Sequence, residues 1–214
     1  MTPKADGARR STRELVLAAS CLGLLAPLAG AQGEKLVVEP QRSHLRIELG
    51  RTGLLKFMGH EHQIEAPIAE GQVEVVESDP ARSSVRLRFE AAKLHLVPGS
   101  EPADDIPKVE ERMRGPEVLD VTKYPEVVFV STSVKGQPEG PSRFRLAVTG
   151  TLTLKGRSFP IEVPLEVRRV DKELEAKGEL ELNLHDVGIE PPSVAGVVKV
   201  KDRFRLGFEI YARP

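Results

Sequence analysis

Three side chains in one short segment, His60, His62 and Glu65, are the strongest candidates for metal chemistry in this sequence. Residues two apart on a β-strand point to the same side, so His60 and His62 are able to share a metal ion. His44 and His185 are candidates to complete such a site, but both fall in the outward phase of predicted strands. The simpler interpretation places His60 and His62 at the surface or at a rim, hydrogen-bonding a ligand head group.

Other catalytic signatures do not occur in the sequence. It contains no Gly-x-Ser-x-Gly motif, no His-Glu-x-x-His motif and no phosphate-binding glycine loop. Cys21 is the only cysteine, and it lies in a segment that we expect to be removed. Disulfides, thiol catalysis and cysteine-ligated zinc are thereby excluded from the mature chain. The sequence predicts a protein that is not an enzyme and that needs no cofactor.

The first 31 residues have the pattern of a signal peptide. Three arginines, Arg9, Arg10 and Arg13, precede an apolar run over residues 15–28, and small residues follow at 29–31. This pattern predicts export to the periplasm or the medium, with a mature chain that starts at Gln32. A transmembrane anchor is the alternative, but the run is short and rich in Ala and Gly, so we expect no stable membrane span after cleavage. A lipid anchor at Cys21 is a weaker alternative.

The composition of the remaining chain, residues 32–214, indicates one domain without a linker. Removing residues 1–31 takes away four basic and two acidic residues, which leaves 27 basic and 30 acidic residues and a net charge of −3. A nucleic-acid partner is not expected, because it calls for a basic stripe with stacking aromatics. About 180 residues are enough to form a core without disulfides. A homodimer is left open.

The clearest structural signal is a long hairpin around Lys155-Gly156. Apolar and polar residues alternate over residues 144–154 and again over residues 159–167. Because successive strand residues point to opposite faces, the hairpin has one apolar and one polar face. A two-residue turn places Leu152 opposite Phe159, whereas a four-residue turn also keeps apolar residues facing each other, so the register stays open.

The same alternation of apolar and polar residues recurs along most of the chain. One helix is expected, within residues 103–114. Further alternating segments occur at residues 45–49, 73–75, 85–89, 127–129, 174–184 and 204–210. About eight such strands predict an all-β protein, either an antiparallel barrel or a sandwich. The pattern leaves open whether large and small inward side chains fill the interior or surround an elongated cavity.

Four segments resemble the YceI family of exported, lipocalin-like lipid-binding proteins. Residues 38–45 (VEPQRSHL) look like its opening motif, and residues 114–125 (RGPEVLDVTKYP) with the following apolar strand resemble its most recognisable segment. Residues 148–156 (VTGTLTLKG) are similar to its Gly-x-Leu-Thr-x-x-Gly hairpin. The last strands also fit, so the resemblance covers nearly all of residues 32–214.

The resemblance implies an extended eight-stranded antiparallel lipocalin-like barrel with one short helix. The barrel is expected to hold a long-chain isoprenoid or another apolar lipid, as a carrier or for sequestration. The alternatives are a metal-binding barrel centred on His60 and His62, with an enzymatic or metal-chaperone role, and a filled barrel that acts through a protein partner. Strand phase and resemblance together place ten residues on the ligand-binding wall: Leu49, Phe57, Val73, Phe89, Phe129, Leu152, Ile161, Leu165, Leu182 and Phe208.

Overall fold

The structure is a computed structural model that describes residues 33–53, 62–194 and 198–214. Phe57 and His60 therefore lie outside the described residues, as does the predicted signal peptide. Within the described part, the chain is mostly β-structure with a single α-helix, α1 (Ile106–Arg114). The strands are β1 (Glu34–Val38), β2 (His44–Gly53), β3 (His62–Glu65), β4 (Ile68–Val75), β5 (Ser84–Glu90), β6 (His95–Leu96), β7 (Glu126–Gly140), β8 (Arg143–Leu154), β9 (Arg157–Val170), β10 (Glu173–Asn183), β11 (Ser193–Val194) and β12 (Val198–Arg213).

The predicted hairpin is formed by β8 and β9, and its register is the one that a two-residue turn produces. Leu152 pairs with Phe159 across the two strands. Lys155 and Gly156 both have positive φ angles, 50° and 68°. Positive φ at both central residues defines a type I′ turn, whose twist matches that of the strands it joins. Local turn chemistry thus settles the register that the apolar pattern alone left open.

Eight strands form a closed antiparallel barrel, in the order β1-β4-β5-β7-β8-β9-β10-β12, and β1 pairs with β12 to close it. At the closure, Val38 pairs with Ala212, and both side chains are buried. The fold is therefore the predicted barrel and not the sandwich. Closure satisfies the backbone groups that an open sheet leaves exposed at its edges.

Three further strands extend the barrel wall at one end. β2 pairs with β12 beside β1, and β3 pairs with β2. The two-residue strand β6 then pairs with β3. The sequence pattern did not predict β1, β3 or β6, because strands this short contain too few alternations to be distinguished from loops.

Strand β7 is longer than its sequence pattern suggests, since it continues through Pro138 to Gly140. Pro138 pairs with Phe144 of β8, whereas the other neighbour, β5, pairs only with residues up to Val130. A proline cannot donate a ladder hydrogen bond, so it is tolerated where a strand has one neighbour instead of two. The glycines and proline in this segment therefore lie in the strand and not in a turn.

Helix α1 lies within the predicted range and is attached to the sheet through β6. The backbone N–H of Leu96 donates a hydrogen bond to the Glu110 carboxylate at 2.9 Å. Arg114 donates to the same carboxylate at 3.1 Å and to the Leu94 carbonyl oxygen at 3.3 Å. In the described part of the chain, no helix has the length and apolar character needed to span a membrane.

Candidate functional site

The interior of the barrel contains an apolar cavity of about 770 Å³. Inward side chains of all eight barrel strands except β1 line it, together with side chains of β2 and β3. Val109 and Met113, on the apolar stripe of α1, complete the wall at one end. Small eight-stranded barrels have interiors of a size that side chains fill or that one ligand occupies. In this barrel the inward side chains leave a cavity between them.

Nine of the ten predicted wall residues line this cavity, and the tenth, Phe57, lies outside the described residues. Alternation along each strand places them there, because every second side chain of a barrel strand points inward. Whether each contacts a ligand stays a prediction. The nine are Leu49, Val73, Phe89, Phe129, Leu152, Ile161, Leu165, Leu182 and Phe208.

Two inward glycines make room for aromatic rings of the wall. A Cβ atom on Gly150 would lie 2.4 Å from the ring of Phe129, and one on Gly178 would lie 2.5 Å from the ring of Phe208. Such distances are far below van der Waals contact, so any larger residue would displace the rings. The two rings therefore occupy space that a side chain at either glycine would need.

One buried acid–imidazole pair interrupts the apolar wall near α1. The Nδ1 atom of His62, at the start of β3, lies 2.7 Å from the Oε1 atom of Glu101. The Glu101 side chain is only 2% exposed and that of His62 is 13% exposed, and both residues line the cavity. The loop that carries Glu101 is fixed to β3, since the Val97 N–H donates to the Gln63 carbonyl oxygen at 2.8 Å.

The charged side chains of α1 that reach the cavity form an exposed rim near this pair. Lys108 lies 3.0 Å from Asp105, and Arg112 lies 3.1 Å from Glu117. Each cation therefore already has a carboxylate partner in solvent. Exposed pairs of this kind contribute little energy, because water screens them.

A second charged group lines the cavity at the far end of β9. Arg169 continues the inward phase of Leu165 and Val167, and its side chain is 15% exposed. It forms an ion pair with Glu34 of β1, and its second terminal nitrogen lies 3.7 Å from Glu77. These two carboxylates connect β9 to β1 and to the turn after β4, so they neutralise the arginine at this end.

The structure separates the residues of the predicted metal site that it describes. Glu65 is three residues from His62, so it lies on the outer face, where its carboxylate is 3.2 Å from His44 and 3.5 Å from Arg46. Residues an odd number apart on a strand point to opposite faces, which the grouping of His62 with Glu65 overlooked. Among the residues described, no three His, Cys, Asp or Glu side chains are grouped so that they could hold a metal ion.

His185 faces outward, as its phase predicted, on a one-turn 3-10 helix at His185–Val187. Its two ring nitrogens lie 2.8 Å from Asp202 and 3.0 Å from Glu190. The hydrogen bond with Asp202, and then that with Glu190, raise the pKa of His185 above its usual value. The same 3-10 helix carries Val187, a buried residue of the cavity wall.

Sequence reasoning missed two charged residues of the cavity wall, the buried Glu101 and the half-buried Arg169. A signal for Arg169 was present, because it lies two residues beyond Val167 on an alternating strand. No comparable signal exists for Glu101, which lies in a loop without periodicity and approaches His62 only after the chain has folded. A charged residue in the inward phase at the end of an apolar stripe is the pattern to look for.

A closed antiparallel barrel with an apolar cavity is the architecture of barrels that enclose a ligand. The chain belongs to the YceI family, since the model of the YceI-like domain matches residues 36–212. This match confirms the resemblance that the sequence motifs indicated. It includes all barrel strands described above except the first residues of β1 and the last residue of β12.

Two solved structures share the fold. BcnA of Burkholderia cenocepacia superposes with a TM-score of 0.61 at 19% identity, covering 81% of this chain and 98% of BcnA. A polyisoprenoid binding domain from Saccharophagus degradans, implicated in plant cell wall breakdown, has a TM-score of 0.56 at 12% identity and covers 83% of this chain and 97% of that domain. At these identities the likeness establishes the fold alone.

Sequence relatives match a smaller part of the chain. Two proteins named UPF0312 protein, from Pseudomonas savastanoi pv. phaseolicola and Pseudomonas syringae pv. syringae, are each 40% identical to it over 80 residues. The match covers 35% of this chain and 40% of each relative. The chain thus spans less than half the length of these curated relatives.

Proposed function

We propose that this protein binds one long apolar amphiphile of the isoprenoid class inside the barrel, and that it acts by carrying or sequestering this molecule and not by catalysis. The observation that carries the proposal is the cavity of about 770 Å³, whose wall is apolar except for a few charged residues near its ends. Membership of a family whose fold is shared by a polyisoprenoid binding domain supports the same ligand class.

The energetics of such binding follow from the apolar wall. Each methylene group that moves from water into the cavity contributes about 0.8 kcal/mol, so a long hydrocarbon chain binds tightly with few polar contacts. Side chains such as Phe89, Phe129 and Leu49 are themselves buried and thus form a fixed wall. A preformed apolar cavity avoids much of the ordering cost that a flexible site incurs on binding.

We further propose that the protein acts outside the cytoplasm. The pattern of residues 1–31 supports export, with cleavage before Gln32 and a mature protein in the periplasm or the medium. An exported carrier shields its ligand from water during passage through an aqueous compartment. N-terminal sequencing of the protein recovered from the periplasmic fraction and from the medium tests the cleavage site directly.

Native mass spectrometry of the mature protein, purified without detergent after export, tests the ligand proposal. We expect a copurified adduct with the mass of a lipid on most chains, and organic extraction of the same sample identifies it. Metal analysis of that sample is the control. About one metal ion per chain together with no lipid would contradict the proposal in favour of the metal-binding alternative. The same spectrum reports whether the chain forms a homodimer.

A further inference from the structure

The barrel wall is not paired along its whole length between β9 and β10. The ladder between these two strands ends at the pair of Lys177 with Glu166. Beyond this pair, and within the described part of the chain, residues 157–165 of β9 pair only with β8, and residues 178–183 of β10 pair only with β12. We call the unpaired stretch between these two segments the β9–β10 seam.

Two prolines of β9 account for the end of the ladder. Because the type I′ turn makes Leu154 and Arg157 a hydrogen-bonded pair, every second residue of β9 from Ser158 onward directs its backbone groups away from β8 and towards β10. Pro160 and Pro164 occupy two of these positions. Neither is able to donate a hydrogen bond to β10, so the ladder does not continue past them.

The charges on the outer face also change where the ladder ends. The last pair of the ladder, Lys177 with Glu166, joins opposite charges. If the same register continued, Glu181 would lie opposite Glu162, and like charges directly opposite each other destabilise the pairing of strands. The carboxylate of Glu181 is instead 3.4 Å from Arg203, on β12. The sequence of β9 and β10 therefore disfavours pairing across the seam in two independent ways.

Close contacts bound the seam at both ends. At the end of the ladder, a Cβ atom on Gly178 would lie 2.4 Å from the carbonyl oxygen of Pro164. At the other end, a Cβ atom on Gly188, directly after the 3-10 helix, would lie 2.8 Å from the ring of Phe159. Roughly four residues of each strand lie between these contacts, which corresponds to about 13 Å of unpaired wall.

The inner side of the seam is part of the cavity wall. Ile161 and Val163 of β9 line the cavity, as do Leu180 and Leu182 of β10. We propose that the β9–β10 seam is the route by which the apolar ligand enters and leaves the barrel. The inference rests on the proposed function, because a route is needed only if a ligand occupies the cavity.

The physical chemistry of the wall favours this route over the two ends of the cavity. Moving the two segments of the seam apart breaks no ladder hydrogen bond, whereas separating fully paired strands breaks several. A hydrocarbon chain that crosses the seam stays in contact with apolar side chains. At the ends it must pass the charged residues His62 and Glu101 or Arg169, and covering charged groups with hydrocarbon is unfavourable.

The same features argue against the seam as a docking edge for a strand of another chain. Proline and charged residues at a strand edge oppose the addition of a further strand. Pro160, Pro164 and Glu162 all lie on this edge of β9. The seam is therefore protected against strand addition while it is left open to a ligand that needs no hydrogen bonds.

Reversible cross-linking across the seam tests the route. Residues 32–214 contain no cysteine, so Glu162→Cys with Glu181→Cys introduces a single pair of thiols on the outer face. A short bis-methanethiosulfonate reagent joins the two thiols, and a reductant releases them. Stopped-flow fluorescence measures association and release of the uncharged dye N-phenyl-1-naphthylamine. We expect the cross-link to slow both rates at least ten-fold and to leave the affinity within three-fold, because it closes the route without changing the inner wall.

Glu181→Cys with Arg205→Cys is the matched control. These two residues pair directly across the ladder between β10 and β12. The same reagent therefore joins the same position of β10 to its other neighbour, where the wall is already paired. We expect both rates in this cross-linked variant to stay within two-fold of those in its reduced form.

Three results would overturn the proposal. The first is failure of the reagent to join the thiols at positions 162 and 181, which would show that the two segments do not face each other. The second is unchanged rates in the cross-linked protein, which would place the route at an end of the barrel. The third is equal slowing by the control cross-link, which would indicate a general loss of motion. If the wild-type protein does not bind the dye, the proposed function itself fails, whereas binding at unchanged rates contradicts only the route.

Discussion

The two ends of the cavity both carry charged side chains in its wall, but they differ in where the partner of each charge lies. At the α1 end, the partner of His62 is Glu101, whose side chain is only 2% exposed. At the other end, the partners of Arg169 are Glu34 and Glu77, which are 41% and 62% exposed. The first pair is therefore part of the interior, whereas the second connects the interior to the outer rim.

This difference assigns different roles to the two ends. Arg169 joins three parts of the barrel, and its carboxylate partners lie in water, so its charge is compensated without any ligand. The His62–Glu101 pair joins β3 to the loop after β6, and both residues line the cavity. Along β10, Leu182 near the first end and Leu174 beside Arg169 are eight residues apart. Eight strand residues span roughly 26 Å, so a single small head group is unable to contact both ends.

A charge placed in the cavity wall between the two ends should weaken ligand binding more than any substitution at either end. Leu165 lies on the cavity wall in β9, where it pairs with Leu146. We expect Leu165→Asp to weaken binding of N-phenyl-1-naphthylamine at least 100-fold, because a carboxylate in the apolar wall must keep its water and so blocks the hydrocarbon path. Fluorescence titration measures the affinity.

Val130→Asp is the control for this variant, since Val130 is an exposed apolar residue on the outer face of β7. It pairs across the strands with Arg86 and Thr151, so the outer face accommodates the new charge. Circular dichroism of both variants verifies that the barrel is folded. Dye binding by Leu165→Asp within three-fold of wild type would contradict the assignment of the cavity as the ligand site.

The more buried of the two charged pairs, His62 with Glu101, should contribute more to the free energy of unfolding than the pair of Arg169 with Glu77. A double-mutant cycle with His62→Ala and Glu101→Ala should give a coupling energy of about 1–2 kcal/mol, because the two groups are close, Glu101 is buried and His62 is largely shielded from water. The cycle with Arg169→Ala and Glu77→Ala should give less than about 0.5 kcal/mol, because water screens a pair at this exposure. Urea unfolding at constant pH measures all of these free energies.

Equal coupling energies in the two cycles would remove the distinction between the ends. A larger coupling for Arg169 with Glu77 would reverse it and make the arginine end the better candidate for ligand recognition. The slope of unfolding free energy against urea concentration should be unchanged in every variant, since a change would indicate altered compactness instead of a lost contact.

The smallest effect is expected at His185, outside the cavity but on the segment that carries Val187 of its wall. Because hydrogen bonds with Asp202 and Glu190 raise the pKa of His185, they stabilise its protonated form in the folded protein. This contribution is fully present below the unfolded pKa of about 6.5 and is lost as the pH rises through the higher folded pKa. The melting temperature of wild type should therefore exceed that of His185→Gln at pH 5.5.

The difference in melting temperature should disappear at a pH above the folded pKa of His185. Differential scanning calorimetry between pH 5.5 and pH 9 measures it. A difference that is constant over this range would indicate a packing effect of the substitution and no contribution from protonation. Dye binding should be unaffected at every pH, because the His185 side chain points away from the cavity.

The parts of the fold that could be predicted from sequence are those in which local geometry repeats. The β8–β9 hairpin was predicted because two long strands alternate without a break, and its register follows from the positive φ angles of Lys155 and Gly156. The short strands β3 and β6 were missed because they are defined by their pairing with neighbouring strands, whereas their own sequences contain too few residues to show an alternating pattern. The extension of β7 through Pro138 does not follow from the alternating pattern, because a proline is tolerated there only where β7 has one neighbouring strand.

The residues of the candidate site were likewise predictable only where a regular strand sets the direction of the side chain. Strand phase and the family resemblance together placed nine predicted residues on the cavity wall, and phase contributes because the direction of a strand side chain is set by its position in the strand. The grouping of His62 with Glu65 was wrong because phase was not applied to a segment too short to be recognised as a strand. Arg169 could have been found by extending the inward phase of β9 by one position.

The sequence by itself determined the identity of the inward face, the presence of the β8–β9 hairpin and the resemblance to the YceI family, because these depend on residue spacing along the chain. Only the tertiary structure decided that the barrel encloses a cavity and that Glu101 lies beside His62. The width of a barrel depends on how its strands tilt and close, which no single strand contains. The acid–imidazole pair depends on a loop that reaches β3 through a backbone hydrogen bond. Its two residues lie 39 positions apart in the chain, and the pairing of β6 with β3 brings them to a distance of 2.7 Å.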